Sequence, residues 1–182
     1  MDRATLGLKV NANKSHICRP TKLKYLGFGF YKNPQTKLWQ LRPHESSVSQ
    51  FVRTLKKLCK RSWSISMTER ITRLNYVTRG WIAYFSISFM KLKMEKIDEH
   101  LRTMLRKVIW KQWKTPQKRA WGLRKLGVDS DLARLTSFCG DRYEWVVRRT
   151  CVPRAISKDV FARRGLVSCL DYYLIRHSLK TN

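Results

Sequence analysis

Carboxylates, the side chains that hold catalytic metals and move protons, are scarce in this chain; cations and aromatic rings are not. Of 182 residues, 39 are Lys or Arg and 12 are Asp or Glu, a formal charge of +27. From His100 to Val128 there is no carboxylate at all, yet Arg102, Arg106, Lys107, Lys111, Lys114, Lys118, Arg119, Arg124 and Lys125 fall in that window. Trp110, Trp113 and Trp121 are interleaved with them. Like charges at this density repel and weaken a compact state unless a polyanion meets them. Flat rings among cations suit stacking on bases. The chemistry open to this stretch is recognition of nucleic acid, phosphates by the cations and bases by the rings.

Other chemistry finds less support. Metal-assisted phosphoryl transfer needs carboxylates that converge on cations. Asp98 and Glu99 are neighbours in a helical stretch, where adjacent side chains diverge by about 100°, and Asp129 and Asp131 do not sit in a polymerase-like hairpin. His16, His44, His100 and His177 form no ligand cluster, and no phosphate-binding loop or nucleophile elbow occurs. The five cysteines are odd in number and contain no CxxC pair. They read as free thiols in a reducing compartment, without disulfides or zinc: the bacterial cytoplasm first, an organellar matrix second. No segment approaches the roughly 20 apolar residues that cross a bilayer, and the N-terminus lacks a signal-peptide pattern. The charge is spread along the chain, which argues against one amphipathic membrane helix. Hydrophobic content of 43% excludes disorder. The expectation is a folded binder with no metal or cofactor of its own and no membrane partner.

The elements that position these residues change character near residue 45. Before it, Ser15–Arg19, Tyr25–Tyr31 and Lys37–Leu41 read as short strands, with Lys32-Asn33-Pro34-Gln35 as a turn. Gly27 and Gly29 alternate with aromatics, which suggests close backbone approach to a neighbour. From Ser46 the period is helical, with Val48, Phe51, Val52, Leu55, Leu58 and Cys59 on one stripe. A second helix opens near Thr68, with Ile71, Leu74, Val77, Trp81 and Phe85 inward. A third runs from Lys91 to Trp113, about 35 Å, and buries Met94, Ile97, Leu101, Met104, Leu105 and Val108. Its acids, Glu95, Asp98 and Glu99, sit early and its cations late, as the helix dipole and pairs such as Asp98 with Arg102 require. Shorter helices follow over Gln117–Leu126, from Asp129 or Ser130 to Phe138, from Ser157 toward Arg164, and over Leu166–Ile175. Trp110 and Trp113, three apart, are expected to split between core and surface.

Several short segments, in order, carry a resemblance. They are Leu8-Lys9-Val10-Asn11 with Lys14-Ser15, Tyr25-Leu26-Gly27-Phe28, Arg79-Gly80-Trp81 with Tyr84-Phe85, Trp110-Lys111-Gln112-Trp113-Lys114, and Leu123-Arg124-Lys125-Leu126-Gly127. With Ala155-Ile156-Ser157, Gly165-Leu166-Val167-Ser168 and Leu170-Asp171-x-Tyr173, they resemble the group II intron-encoded reverse transcriptase/maturase family. The resemblance implies a mainly α fold: a helical thumb and domain X bundle preceded by a short β element, the end of a palm. It divides the chain into a partial palm with primer-grip-like strands (1–44), a thumb-like three-helix unit leading into domain X (45–114) and the rest of domain X (115–182). Tyr25, Leu26, Gly27 and Phe28 would be the primer-grip-like turn. Arg79, Arg106, Lys107, Lys111, Trp113, Lys114, Lys118, Arg119, Arg124 and Lys125 would meet RNA.

The family's catalytic Tyr-x-Asp-Asp hairpin lies upstream of the matching segments, so no polymerase activity is expected of this chain alone. Magnesium is implied for the full-length polymerase and for the RNA, not for this chain. The implied partners are structured intron RNA and an RNA/DNA template-primer, with an upstream reverse-transcriptase chain or self-association as further options. The leading reading is a maturase region that stabilises intron RNA for splicing. The alternatives are one part of a split RNA-directed DNA polymerase, or a non-functional remnant or stand-alone basic RNA-binding protein.

Overall fold

The computed structural model describes residues 18–181. Lys14 and its flanking matches, and most of the expected Ser15–Arg19 strand, lie outside them. Cys18 and Arg19 are not in a strand and lead into a single 3-10 turn, Pro20–Lys22. Two antiparallel strands follow, β1 (Phe28–Lys32) and β2 (Trp39–Pro43), in the register Phe28 to Pro43 through Lys32 to Trp39. The expected strand over Tyr25–Tyr31 is shorter at its start because Leu26 and Gly27 have φ of 49° and 81°. Tyr25 and Phe28 exchange backbone hydrogen bonds across them, so these two residues form a tight turn of the left-handed kind that hairpins favour. A Cβ on Gly27 would also come within 3.1 Å of both Phe85 and Ser47, whereas one on Gly29 would meet His44 only at 3.6 Å or beyond. Close approach is therefore a requirement at Gly27 and not at Gly29.

Nine α-helices follow the hairpin among the described residues. They are α1 (Glu45–Leu58), α2 (Met67–Phe85), α3 (Lys91–Gln112), α4 (Pro116–Lys125), α5 (Ser130–Ser137), α6 (Tyr143–Arg149), α7 (Val152–Ala155), α8 (Lys158–Arg163) and α9 (Cys169–Thr181). The fold is mainly helical with a short sheet ahead of the helices, as the resemblance implies. Side-chain caps set several starts: Ser66 accepts from Glu69 N, Thr115 from Lys118 N, and Asp129 from Asp131 N and Leu132 N. Pro116 occupies the first turn of α4, where its missing N–H costs nothing.

The central element is α3, which packs against α1, α6, α7 and α9. Met94, Ile97, Leu101, Met104, Leu105, Val108, Ile109 and Trp110 are all buried on it. Truncating one such residue, Leu101 to Ala for example, costs about 2–5 kcal/mol by transfer and cavity terms together. Trp81 stacks on Phe51 at 4.5 Å and joins α2 to α1.

Asp98 forms no ion pair with Arg102. It is 5% exposed and accepts from Ser168 Oγ, Cys169 N and Leu170 N at 2.8–3.0 Å. A carboxylate of one helix thus caps the N-terminus of another. That is why α9 starts at Cys169 and not at the expected Leu166. Asn75 of α2 fixes the approach by donating to Gly165 O and accepting from Val167 N.

Packing continues across Pro116. The Trp110 indole donates to Gly140 O, and Trp113 lies so close to Gly122 that a Cβ there would sit 2.6 Å from its ring. Only glycine fits at that point of α4.

Candidate nucleic-acid interface

The cations expected to meet RNA fall into four groups. Lys107, Lys111 and Lys114, on and just after the last turns of α3, line a cleft with the α1–α2 connection and the start of α6. Lys118, Arg124 and Lys125 are exposed on the outer face of α4, where Lys125 Nζ lies 5.0 Å from the exposed Trp121 ring. Arg79 is exposed on α2 beside Thr72, Asn75, Tyr76 and Gly80, which with it line a separate hollow. Tyr25, Leu26, Gly27 and Phe28 form the hairpin turn, held down by Tyr84 Oη donating to Leu26 O and by Ser47 Oγ donating to Gly27 O. Phe28 packs on Phe85 and Tyr84.

The fourth group of cations, Arg106 and Arg119, does not face solvent freely. Arg119 is 6% exposed; its Nε donates to Trp113 O at 3.0 Å, its Nη2 lies 3.5 Å from Asp141, and its guanidinium sits 4.8 Å from the Trp110 ring. Helical phase explains this, because Arg119, Gly122 and Leu123 share the inner face of α4. Arg106 is half-buried and fastens the end of α7 by donating to Ile156 O and Pro153 O. Burial first, then Arg102 nearby, lowers its pKa. Trp110 is fully buried and Trp113 half-buried against Gly122, so neither presents a free stacking face.

Residues not singled out as ligands in the sequence complete the cleft. Lys60, Arg61, Ser62 and Trp63 come from the α1–α2 connection, and Asp141, Arg142, Tyr143, Glu144 and Trp145 from the start of α6. Its widest part encloses about 660 Å³. The Arg61 guanidinium lies 4.0 Å from the centre of the Tyr143 ring, and Lys111 Nζ 6.0 Å from the same ring. The connection is held from beneath by Arg70, fully buried, which donates to Leu58 O and Trp63 O.

Two carboxylates border the cleft, and both are engaged. Asp141 accepts from Tyr143 Oη at 2.9 Å and faces Arg119. Glu144 bridges Lys107 and Arg148, and hydrogen bonds from Lys107 first and Arg148 second hold its pKa below the usual range. Lys60, Arg61, Lys111, Lys114 and Arg142 have no carboxylate partner among the described residues. No group of three metal-ligating side chains occurs among the described residues, no described helix is long and apolar enough to cross a membrane, and the five cysteines are free.

This is the architecture of a mainly helical protein with a cation-lined cleft. Residues 48–127, from the first turn of α1 to the glycine after α4, match the family model of the group II intron, maturase-specific domain. The match covers less than half of the chain and supports its resemblance to the group II intron maturase family. That domain carries a maturase-type function in intron splicing and implies binding of intron RNA. The match runs across residues 114 and 115, where the thumb-like and domain X units were expected to divide. Comparison with curated proteins gave no match.

Proposed function

We propose that the protein holds folded group II intron RNA by phosphate contacts centred on the cleft between the α1–α2 connection, the end of α3 and the start of α6, with the exposed face of α4 as a second contact strip. Splicing chemistry is left to the RNA and its magnesium ions. The observation that carries this reading is the set of five cations around one cleft, Lys60, Arg61, Lys111, Lys114 and Arg142, without internal counter-charges. Such a cluster is costly in the free protein and is relieved by a polyanion. Arg79 and the hairpin turn lie apart and are assigned secondary contacts with the template-primer or with distal RNA.

The test is a filter-binding salt titration on structured intron RNA. Each neutralised phosphate contributes roughly 0.7–0.9 to the slope of log K against log salt. Replacing Lys111, Lys114 and Arg142 with Gln is expected to reduce that slope by about 2 to 3. Matched replacement of the exposed Arg53, Lys57 and Lys96, which lie outside the cleft, is expected to change it by less than half as much. Equal losses from the two triple variants would reduce the site to a uniformly basic surface.

A further inference from the structure

We propose that the cleft receives an unpaired nucleotide of the RNA, its base laid on the Arg61 guanidinium and its flanking phosphates on Lys60, Lys111, Lys114 and Arg142. This rests on the reading of the protein as an RNA binder and adds the class of RNA element it takes.

Three features of the cleft select an unpaired element over a duplex. Its shape is concave, and about 660 Å³ lies within the roughly 300–1,000 Å³ of pockets that enclose a compact ligand. A double-stranded RNA offers a broad surface of phosphates and 2′-hydroxyls that proteins read along its grooves, with its bases stacked inside. An unpaired base can leave the stack and enter.

The second feature is a prepared stacking plane. Arg61 is exposed and already lies on Tyr143 at 4.0 Å. The guanidinium is thus already held against the ring, next to where a base would stack. Guanidinium planes and aromatic rings are the surfaces on which splayed-out bases stack. Trp145, 50% exposed, lines the adjoining hollow that shares Arg61 with this one and adds a further ring. The floor is rigid, because Arg70 fixes the connection that carries Arg61 through two backbone carbonyls.

The third feature is how charge is distributed. Asp141 and Glu144 also border the cleft, but the first accepts from Tyr143 Oη and faces Arg119, and the second is paired with Lys107 and Arg148. The cations without carboxylate partners surround the stacking plane, which suits a backbone that enters, turns out one base and leaves. Tyr143 and Trp145 lie beyond the matched residues 48–127, so the family match does not account for this wall.

Arg61→Lys separates stacking from charge, since lysine keeps the positive charge but has no plane. The probe is a labelled RNA hairpin with a one-nucleotide bulge, compared with the same stem fully paired, by fluorescence anisotropy on the full chain. The wild-type protein is expected to prefer the bulged RNA. Arg61→Lys should weaken that complex about tenfold, in line with the loss of one base stack, and the paired-stem complex much less, because the positive charge is kept. Trp145→Leu should also reduce the preference, and 2-aminopurine at the bulge should be quenched by the wild type more than by either variant. Equal wild-type affinity for both RNAs, or equal loss on both in Arg61→Lys, overturns the unpaired-nucleotide site and leaves general RNA binding intact. Failure to bind either RNA in a salt-dependent way overturns the RNA-binding reading itself. Circular dichroism confirms that each variant is folded.

Discussion

Asp98 and Lys111 lie on the same helix, and their charges have opposite relations to the rest of the molecule. Asp98 is buried and satisfied by three donors from the segment that opens α9. Lys111 is exposed at the edge of a cleft, near an aromatic ring and without a carboxylate partner. Around Asp98 the charge is consumed internally, and its work is to fix one helix on another. Around Lys111 the charge is left over. The same contrast separates two kinds of cation: Arg70, Arg106 and Arg119 donate to backbone carbonyls, whereas Lys60, Arg61, Lys114 and Arg142 do not. A formal charge of +27 therefore overstates the surface available to a ligand, and the position of each cation matters more than their number.

The sharpest break in this comparison comes from Asp98→Ala. It strands the N–H groups of Cys169, buried, and Leu170, part-buried, with the Ser168 hydroxyl, and removes a charged acceptor. The expected loss is about 3 kcal/mol, since hydrogen bonds to charged groups contribute about 1.5–3 each and unsatisfied donors add a penalty. For a chain of this size that lowers the melting temperature by about 6–12 °C. RNA affinity of the folded fraction should hardly change. Thermal denaturation followed by circular dichroism checks the first part and filter binding the second. A melting point within 2 °C of wild type would mean that Asp98 is not the cap of α9.

What was legible in the sequence follows from what is local. The 3.6-residue stripes of α1 and α3, the stop at Gly127 and the cap at Asp129 are written in neighbouring residues, and the structure has them where the pattern puts them. The cleft is not local: it joins residues 60–63, 107–114 and 141–145, which only the packing of α1, α3 and α6 brings together. Burial of cations was also hidden. Arg119 and Lys118 look alike in a list of basic residues, yet a 100° step around α4 puts one under the Trp110 ring and the other in water. Helical phase could have suggested this, since Arg119 lies three residues before Gly122 and four before Leu123 on the apolar side. The role of Asp98 had no local signal, because its partners are about 70 residues away.

A smaller effect sharpens the contrast between the two kinds of cation. Arg119→Met removes the donor to Trp113 O and the contact with the Trp110 ring. It is expected to cost about 2 kcal/mol of stability through the unsatisfied carbonyl while leaving the salt slope of RNA binding within about 0.5 of wild type. Lys114→Gln should behave in reverse, with stability changed by less than about 0.5 kcal/mol and a slope lowered by about 0.7–0.9. Urea denaturation and salt titration of both variants give the four numbers. If Arg119→Met flattened the slope as much as Lys114→Gln, the division between internal and free cations would collapse.

The smallest expected effect concerns His100, on α3 between the two charge regimes. Its Nε2 is buried without a hydrogen-bond partner. Burial first, then Lys56 of α1, Lys107 of α3 and Arg148 of α6, lower its pKa, and Glu144 opposes them. A base whose folded pKa lies below its unfolded value binds fewer protons when folded. The neutral ring is therefore compatible with full stability above the unfolded value near 6.5, and stability is lost as pH falls through 6.5 toward the folded pKa. Between pH 8 and 5 the wild-type protein should lose more stability than His100→Gln, which cannot take up that proton. A bound polyanion would screen Lys56, Lys107 and Arg148 and raise the pKa of His100, so binding of RNA near pH 6 should be accompanied by proton uptake that the variant reduces. Calorimetry in two buffers of different ionisation enthalpy measures that uptake. No difference between the two proteins in both measurements would remove His100 from the electrostatic neighbourhood of the cleft.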